Sequence, residues 1–198
     1  MTETRRLQID DVASSLFREH GYAATSVRQI ARALDLQGAS LYAHVASKED
    51  VLWSIVDRTA ARFEEADREA DDPSLPPPRR LARRVRAHVQ VITGQPGAAT
   101  VFVHEWRGLA GQRREAVLQR RDRYERRWRE LIEQGIAEGA FAPTDPAVAA
   151  AFLLASLNGI ATWYRPDGRL SSVALADAYA ELAVRTLAAP AADPENAR

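Results

Sequence analysis

The chain has no cysteine, one methionine and one lysine, Lys48, among 198 residues. Without cysteine there is no disulfide framework and no thiolate metal site, which fits a reducing cytoplasm. Net charge is also missing: 27 basic side chains offset 27 acidic ones. Composition therefore provides no broad positive field for nucleic acid. The first fifty residues repeat this balance, with Arg5, Arg6, Arg18, Arg28, Arg32 and Lys48 facing Glu3, Asp10, Asp11, Glu19, Asp35, Glu49 and Asp50. The most apolar stretch, residues 147–160, is interrupted by Ser156 and Asn158 and falls short of the roughly 20 residues a bilayer span needs. The opening MTETRRLQIDD lacks the apolar run of a secretory signal, so the expectation is a cytoplasmic protein with no membrane partner. The four histidines, His20, His44, His88 and His104, show no ligand spacing. Neither a phosphate-binding glycine loop nor a nucleophile motif occurs. No catalytic residue, metal ligand or cofactor is assigned, and the expectation is a protein that is not an enzyme.

What the sequence does have is helical periodicity from end to end, without strand alternation or internal repeat, so the fold class is all-α. Residues 4–20 carry Leu7, Val12, Leu16 and Phe17 on one face, and Gly21 stands where a helix C-terminus favours glycine. Arg5 and Arg6 precede that face and suit either a short phosphate-reaching arm or a solvated terminus. Ser26 and Gln29 stand at capping-box spacing before Val27, Ile30, Ala31 and Leu34, the apolar face of a short helix. After the break Asp35-Leu36-Gln37, residues 38–44 allow about two further helical turns. A helix-turn-helix followed by the S-K-E-D capping box at Ser47–Asp50 is the pattern of a small DNA-reading unit.

The order T-S-V-R-x-I-A, L-x-L-x-G-A-S-L-Y-A-H-V and S-K-E-D-V-L over residues 25–52 resembles the DNA-binding domain of the TetR family of bacterial repressors. The resemblance implies a three-helix helix-turn-helix domain over residues 1–46 and a helical ligand-binding and dimerisation domain over 47–198. It also implies a homodimer on double-stranded operator DNA. Ser40, Tyr42, His44 and Lys48 take the family's phosphate or sugar positions, and Arg28 a base or phosphate position. Gly38 and Ala39 stand where the recognition helix enters the groove, too small to hydrogen bond but permitting close approach. Ser26 and Ala43 complete the expected interface. Gln37 departs from the serine or threonine cap of many members; glutamine caps poorly, so either the recognition helix starts less firmly or Gln37 serves the DNA instead.

The helix beginning at Ser47 carries Val51, Leu52, Ile55, Val56 and Phe63 and joins the DNA-reading unit to the remainder. Residues 71–78, DDPSLPPP, read as a proline-stiffened linker. Helical patterns follow at 79–93, 98–109, 112–138, 145–164 and 171–188, with a disordered tail expected from 190 to 198. Small residues from Ala147 to Ala161 allow close helix approach on several sides, and the resemblance places dimerisation in the last two helices, about 145–188. Val89, Ile92, Phe102, Trp106, Tyr124, Trp128 and Trp163 are expected either to line an effector pocket or to form the bundle core. The segments H-E-W-R at 104–107 and W-Y-R-P-D-G-R-L at 163–170, which bring in Arg165, resemble members that respond to acyl-coenzyme A thioesters. The expected function is an effector-released repressor of a palindromic operator, the effector being small and hydrophobic or an acyl-coenzyme A. Control of a multidrug efflux or other catabolic operon is the alternative, and a carrier or enzyme using the C-terminal pocket the distant one.

Overall fold

A computed structural model describes residues 2–189, with side chains for 4–37 and 40–189; the expected tail at 190–198 and the side chains of Gly38 and Ala39 lie outside the described residues. Among the described residues nine α-helices run in the order α1 (Thr2–His20), α2 (Val27–Ala33), α3 (Gly38–Tyr42), α4 (Lys48–Ala70), α5 (Pro77–Gly94), α6 (Pro96–Thr100), α7 (Gly111–Ala137), α8 (Pro146–Trp163) and α9 (Ser172–Leu187). Among the described residues no strand forms, and the one β-bridge is isolated, between Phe141 and Ala188. The linker is shorter than expected because Pro77 and Pro78 enter α5, where a missing N–H costs nothing in the first turn.

Local chemistry sets the helix ends in the DNA-reading unit. Gly21, at φ 81°, ends α1 and donates its N–H to the Phe17 carbonyl. Ser26 and Gln29 form the full capping box at the start of α2. At Ser47 only half of one forms: the Ser47 hydroxyl accepts from the Asp50 N–H, while the Asp50 carboxylate turns to Ala46 N and Arg6. Asp35 takes a left-handed turn conformation at φ 57°, which aspartate tolerates better than most residues. Gln37 precedes α3 with no side-chain capping bond, as a glutamine there should.

Two apolar cores result. One joins Ile9, Phe17, Ile30 and Leu41 to Leu52, Ile55, Val101, Trp106 and Val117, so α4, the segment after α6 and the start of α7 all pack into the DNA-reading unit. The other gathers Phe63, Leu81, Val85, Trp128, Ile132 and Leu153 with α9 residues. Phe102 packs against both cores. It lies where the expected 98–109 helix departs from regular geometry: α6 gives way to a π turn, Val101–Glu105, and a 3₁₀ turn, Trp106–Gly108. Such π turns are rare and gather at functional positions.

Candidate nucleic-acid interface and effector pocket

The buried side of the helix-turn-helix is Ile30, Ala31, Leu41 and Val45, each at most 3% exposed. That leaves Ser26, Arg28, Gln37, Ser40, Tyr42 and Ala43 outward. Arg28 and Gln37 line one shallow recess, together with Arg32 and Asp35, so the arginine ahead of the groove and the unusual residue before α3 are neighbours. Tyr42, at 57% exposed, is the prominent apolar side chain of this face. His44 is half-buried, its Nδ1 without a hydrogen-bond partner, and its carbonyl accepts from Arg6.

Two cations are turned differently from expectation. Lys48 Nζ donates to the carbonyls of Tyr22 (2.8 Å), Ala23 (3.3 Å) and Thr25 (2.9 Å) and lies over the Tyr22 ring. All three ammonium donors are thus engaged in holding the chain between α1 and α2. Arg6 is no free arm either: it bonds Asp10, the Asp50 carboxylate and carbonyl, and the His44 carbonyl. Burial works against Asp50, yet Arg6, Ala46 N and Arg113 together hold its carboxyl below the ordinary value.

In the larger domain a cavity of about 270 Å³ opens between α4, α5, α7 and α8, lined among others by Phe63, His88, Phe102, Tyr124, Leu154 and Asn158. Of the residues expected there, Phe102 and Tyr124 line it. Val89 and Ile92 are fully buried bundle core, because their face of α5 is covered on both sides, and Trp128 is core too at 1% exposed. Trp106 belongs to the N-terminal core. Trp163, half exposed, and Arg165 lie at the end of α8 and outside the cavity lining. Phe63 and His88 also line the cavity: the sequence marks Phe63 only as part of the apolar face of its helix and gives no signal for His88.

The cavity has a charged rim and an aromatic floor. Arg120 is paired with Asp57 and Glu64. Arg121 has no carboxylate partner among the described residues; its guanidinium lies 5.4 Å from the Phe102 ring centre and 5.3 Å from that of Trp106. Burial and the nearby Arg107 push its pKa down, against a weaker upward pull from Asp122 and from Glu125, which also lines the cavity. A partly desolvated, unpaired guanidinium is costly to keep and ready to receive an anion. At the floor, burial drives the His88 imidazole down to about 3 against a smaller upward pull from Asn158, and burial raises the Tyr124 phenol, so both are neutral near pH 7.

An ion pair and a hydrogen bond connect the cavity helices to the DNA-reading unit. Arg113, near the start of α7, bonds the Asp50 carboxylate at 3.1 Å, and Ala110 N donates to Glu49. Gly108 lies so close to the Tyr22 ring that a Cβ there would stand 2.7 Å from it. No cluster of three His, Cys, Asp or Glu side chains suited to a metal occurs among the described residues.

Two family models match the chain. Residues 9–55 match the family described as bacterial regulatory proteins, tetR family, and residues 74–187 match tetracyclin repressor-like, C-terminal domain. The chain is 30% identical over 182 residues, 89% of each chain, to the HTH-type transcriptional repressor KstR2 of Mycobacterium tuberculosis. The structure of that ketosteroid transcriptional regulator superimposes with a TM-score of 0.88 at 26% identity, covering 94% of this chain and 96% of that one. AibR in complex with isovaleryl coenzyme A and operator DNA superimposes with a TM-score of 0.82 at 30% identity, covering 94% and 100%.

Proposed function

We propose that this chain, which belongs to the TetR family of bacterial transcriptional regulators, is a cytoplasmic, homodimeric repressor whose hold on a palindromic operator is released by an acyl-coenzyme A thioester. The observation that carries the proposal is the position of Phe102. Its ring forms cavity wall, packs against both apolar cores and stacks with the unpaired Arg121. A ligand that enters the cavity therefore meets a residue whose displacement reaches the DNA-reading core directly.

The cavity's size and charge suit such a ligand. About 270 Å³ takes a compact acyl group and excludes the nucleotide, whose phosphates would remain at the rim beside Arg121. On the DNA side, Arg28, Gln37, Ser40, Tyr42 and His44 form the contact set, with the α3 start at Gly38 and Ala39 approaching closely. Lys48 contributes by holding the turn that presents Ser26 and Arg28. The exposed apolar residues of α8 and α9, including Val148, Phe152, Trp163, Val173 and Leu182, are the dimer surface. Two recognition helices then meet successive major grooves only at one spacing, about one DNA turn, which ligand binding changes.

A thermal-shift screen of acyl-coenzyme A thioesters against their free acids tests the effector class. Stabilisation by thioesters at concentrations where the acids do nothing is the expected result; equal responses remove the coenzyme A portion from the proposal. The efflux-operon alternative would show itself as stabilisation by unrelated apolar compounds instead.

A further inference from the structure

The floor of the cavity contains a polar atom that the apolar-ligand picture does not use. His88, on α5, is 4% exposed and its ring is enclosed by Phe63, Tyr124 and Trp128. Its Nδ1 is 3.0 Å from the Tyr124 hydroxyl. Its Nε2 is buried with no partner at hydrogen-bonding distance among the described residues, although the ring lines the cavity and the Asn158 amide stands close enough to pull the imidazole's pKa up. Asn158 lines the same cavity from α8.

The tautomer follows from the Tyr124 bond. With both groups neutral, a phenol is the better donor and an imidazole nitrogen the better acceptor, so the hydroxyl donates to Nδ1 and the ring proton resides on Nε2. This leaves a buried N–H donor beside an aromatic floor whose nearest further polar side chain is the Asn158 amide. Buried donors are nearly always satisfied, and one left open in a cavity marks where a ligand atom is expected.

We infer that His88 Nε2–H recognises a neutral carbonyl oxygen on the buried part of the effector, so that the pocket selects a compact keto-bearing group over a plain hydrocarbon of the same shape. The inference rests on the effector-pocket reading above and adds the chemistry of the part that enters. A carboxylate is the wrong partner, because the imidazole stays uncharged and the unpaired cation, Arg121, belongs to the charged rim. A site with a dedicated donor rejects the analogue lacking the acceptor, since the buried N–H then remains open.

The full-length protein labelled with ¹⁵N-histidine tests this by long-range ¹H–¹⁵N correlation, with cyclohexanone and methylenecyclohexane as probes of matched shape. The free protein should show His88 as the Nε2–H tautomer. Cyclohexanone should shift the Nε2 and Hε2 resonances and bind roughly tenfold more tightly than the alkene. His88→Phe, which keeps an aromatic ring, should abolish that preference. An Nδ1–H tautomer, no change at His88 with cyclohexanone, or equal affinity for the two probes overturns the inference in the wild-type protein, whatever the variant's folding. The thioester screen fails separately: a ketone-dependent shift in a protein that no thioester stabilises retains His88 recognition and removes coenzyme A.

Discussion

Tyr42 and Lys48 separate two ways a residue can serve DNA binding. Tyr42 projects from the outward side of α3 with no structural duty visible at its hydroxyl. Tyr42→Ala should therefore weaken operator binding by about 1–3 kcal/mol in fluorescence anisotropy while the melting temperature and the dimer persist. Lys48 holds three carbonyls. Lys48→Met should lower stability by about 1–3 kcal/mol through unpaired carbonyls and leave the salt dependence of operator binding unchanged. A slope reduced by about one unit would make it a phosphate contact instead. His88 gives a pH signature. Its folded imidazole stays neutral down to about 3, whereas the unfolded one takes up a proton near its ordinary value of 6.5. The unfolded state then binds more protons, so stability is lost as pH falls below about 6.5, by about 1.4 kcal/mol per pH unit. Urea titrations between pH 7 and 5 should show that slope in the wild type and a shallower one in His88→Phe.

At the scale of elements, the proposed coupling would run through α7 as well as α4. The first turns of α7 present Arg113 to Asp50 at the start of α4, and further along it places Arg121 and Tyr124 at the cavity. Arg113→Ala should leave effector affinity unchanged and reduce the effector's influence on operator affinity by about 0.5–2 kcal/mol, read by repeating the anisotropy titration with and without ligand. The helix-turn-helix and its ends were legible in the sequence because capping residues, Gly21 and apolar spacing act locally: Ser26, Gln29 and the break at Asp35 all do what their chemistry suggests. The break of residues 98–109 into α6, a π turn and a 3₁₀ turn was not legible, since its apolar spacing is compatible with one regular helix. The candidate pocket was half legible. Periodicity identifies Val89, Ile92, Phe102 and Tyr124 as inward-facing, but only the tertiary arrangement leaves space beside Phe102 and Tyr124 and none beside Val89 and Ile92. The inward turn of Lys48 depends on the α1–α2 carbonyls, more than twenty residues away in the chain, and no local pattern signals it.

For the whole molecule, the account requires a second copy. Helix α8 has 18 residues of mean hydropathy 1.4. One side of it, Leu153, Leu157 and Ile160, is buried in the core, while Val148, Phe152 and Trp163 are at least half exposed, with Ser156 and Gly159 between them along the same stripe. Small residues within an apolar stripe permit the close approach of a second helix pair. Phe152→Glu should convert the dimer to a folded monomer in sedimentation velocity and weaken operator binding by at least tenfold, because one helix-turn-helix then reads a single half-site. Coupling between the sites follows the same logic, since ligand can release DNA only through its preference for one spacing of the recognition helices. The direct measurement is operator affinity by anisotropy, using a duplex selected by the protein from a random pool, with and without a stabilising thioester. The protein should prefer the selected palindrome over random DNA by at least about a thousandfold. It should also lose about tenfold or more of that affinity when the thioester saturates the cavity. A thioester that binds in the cavity and leaves operator affinity unchanged would contradict this coupling.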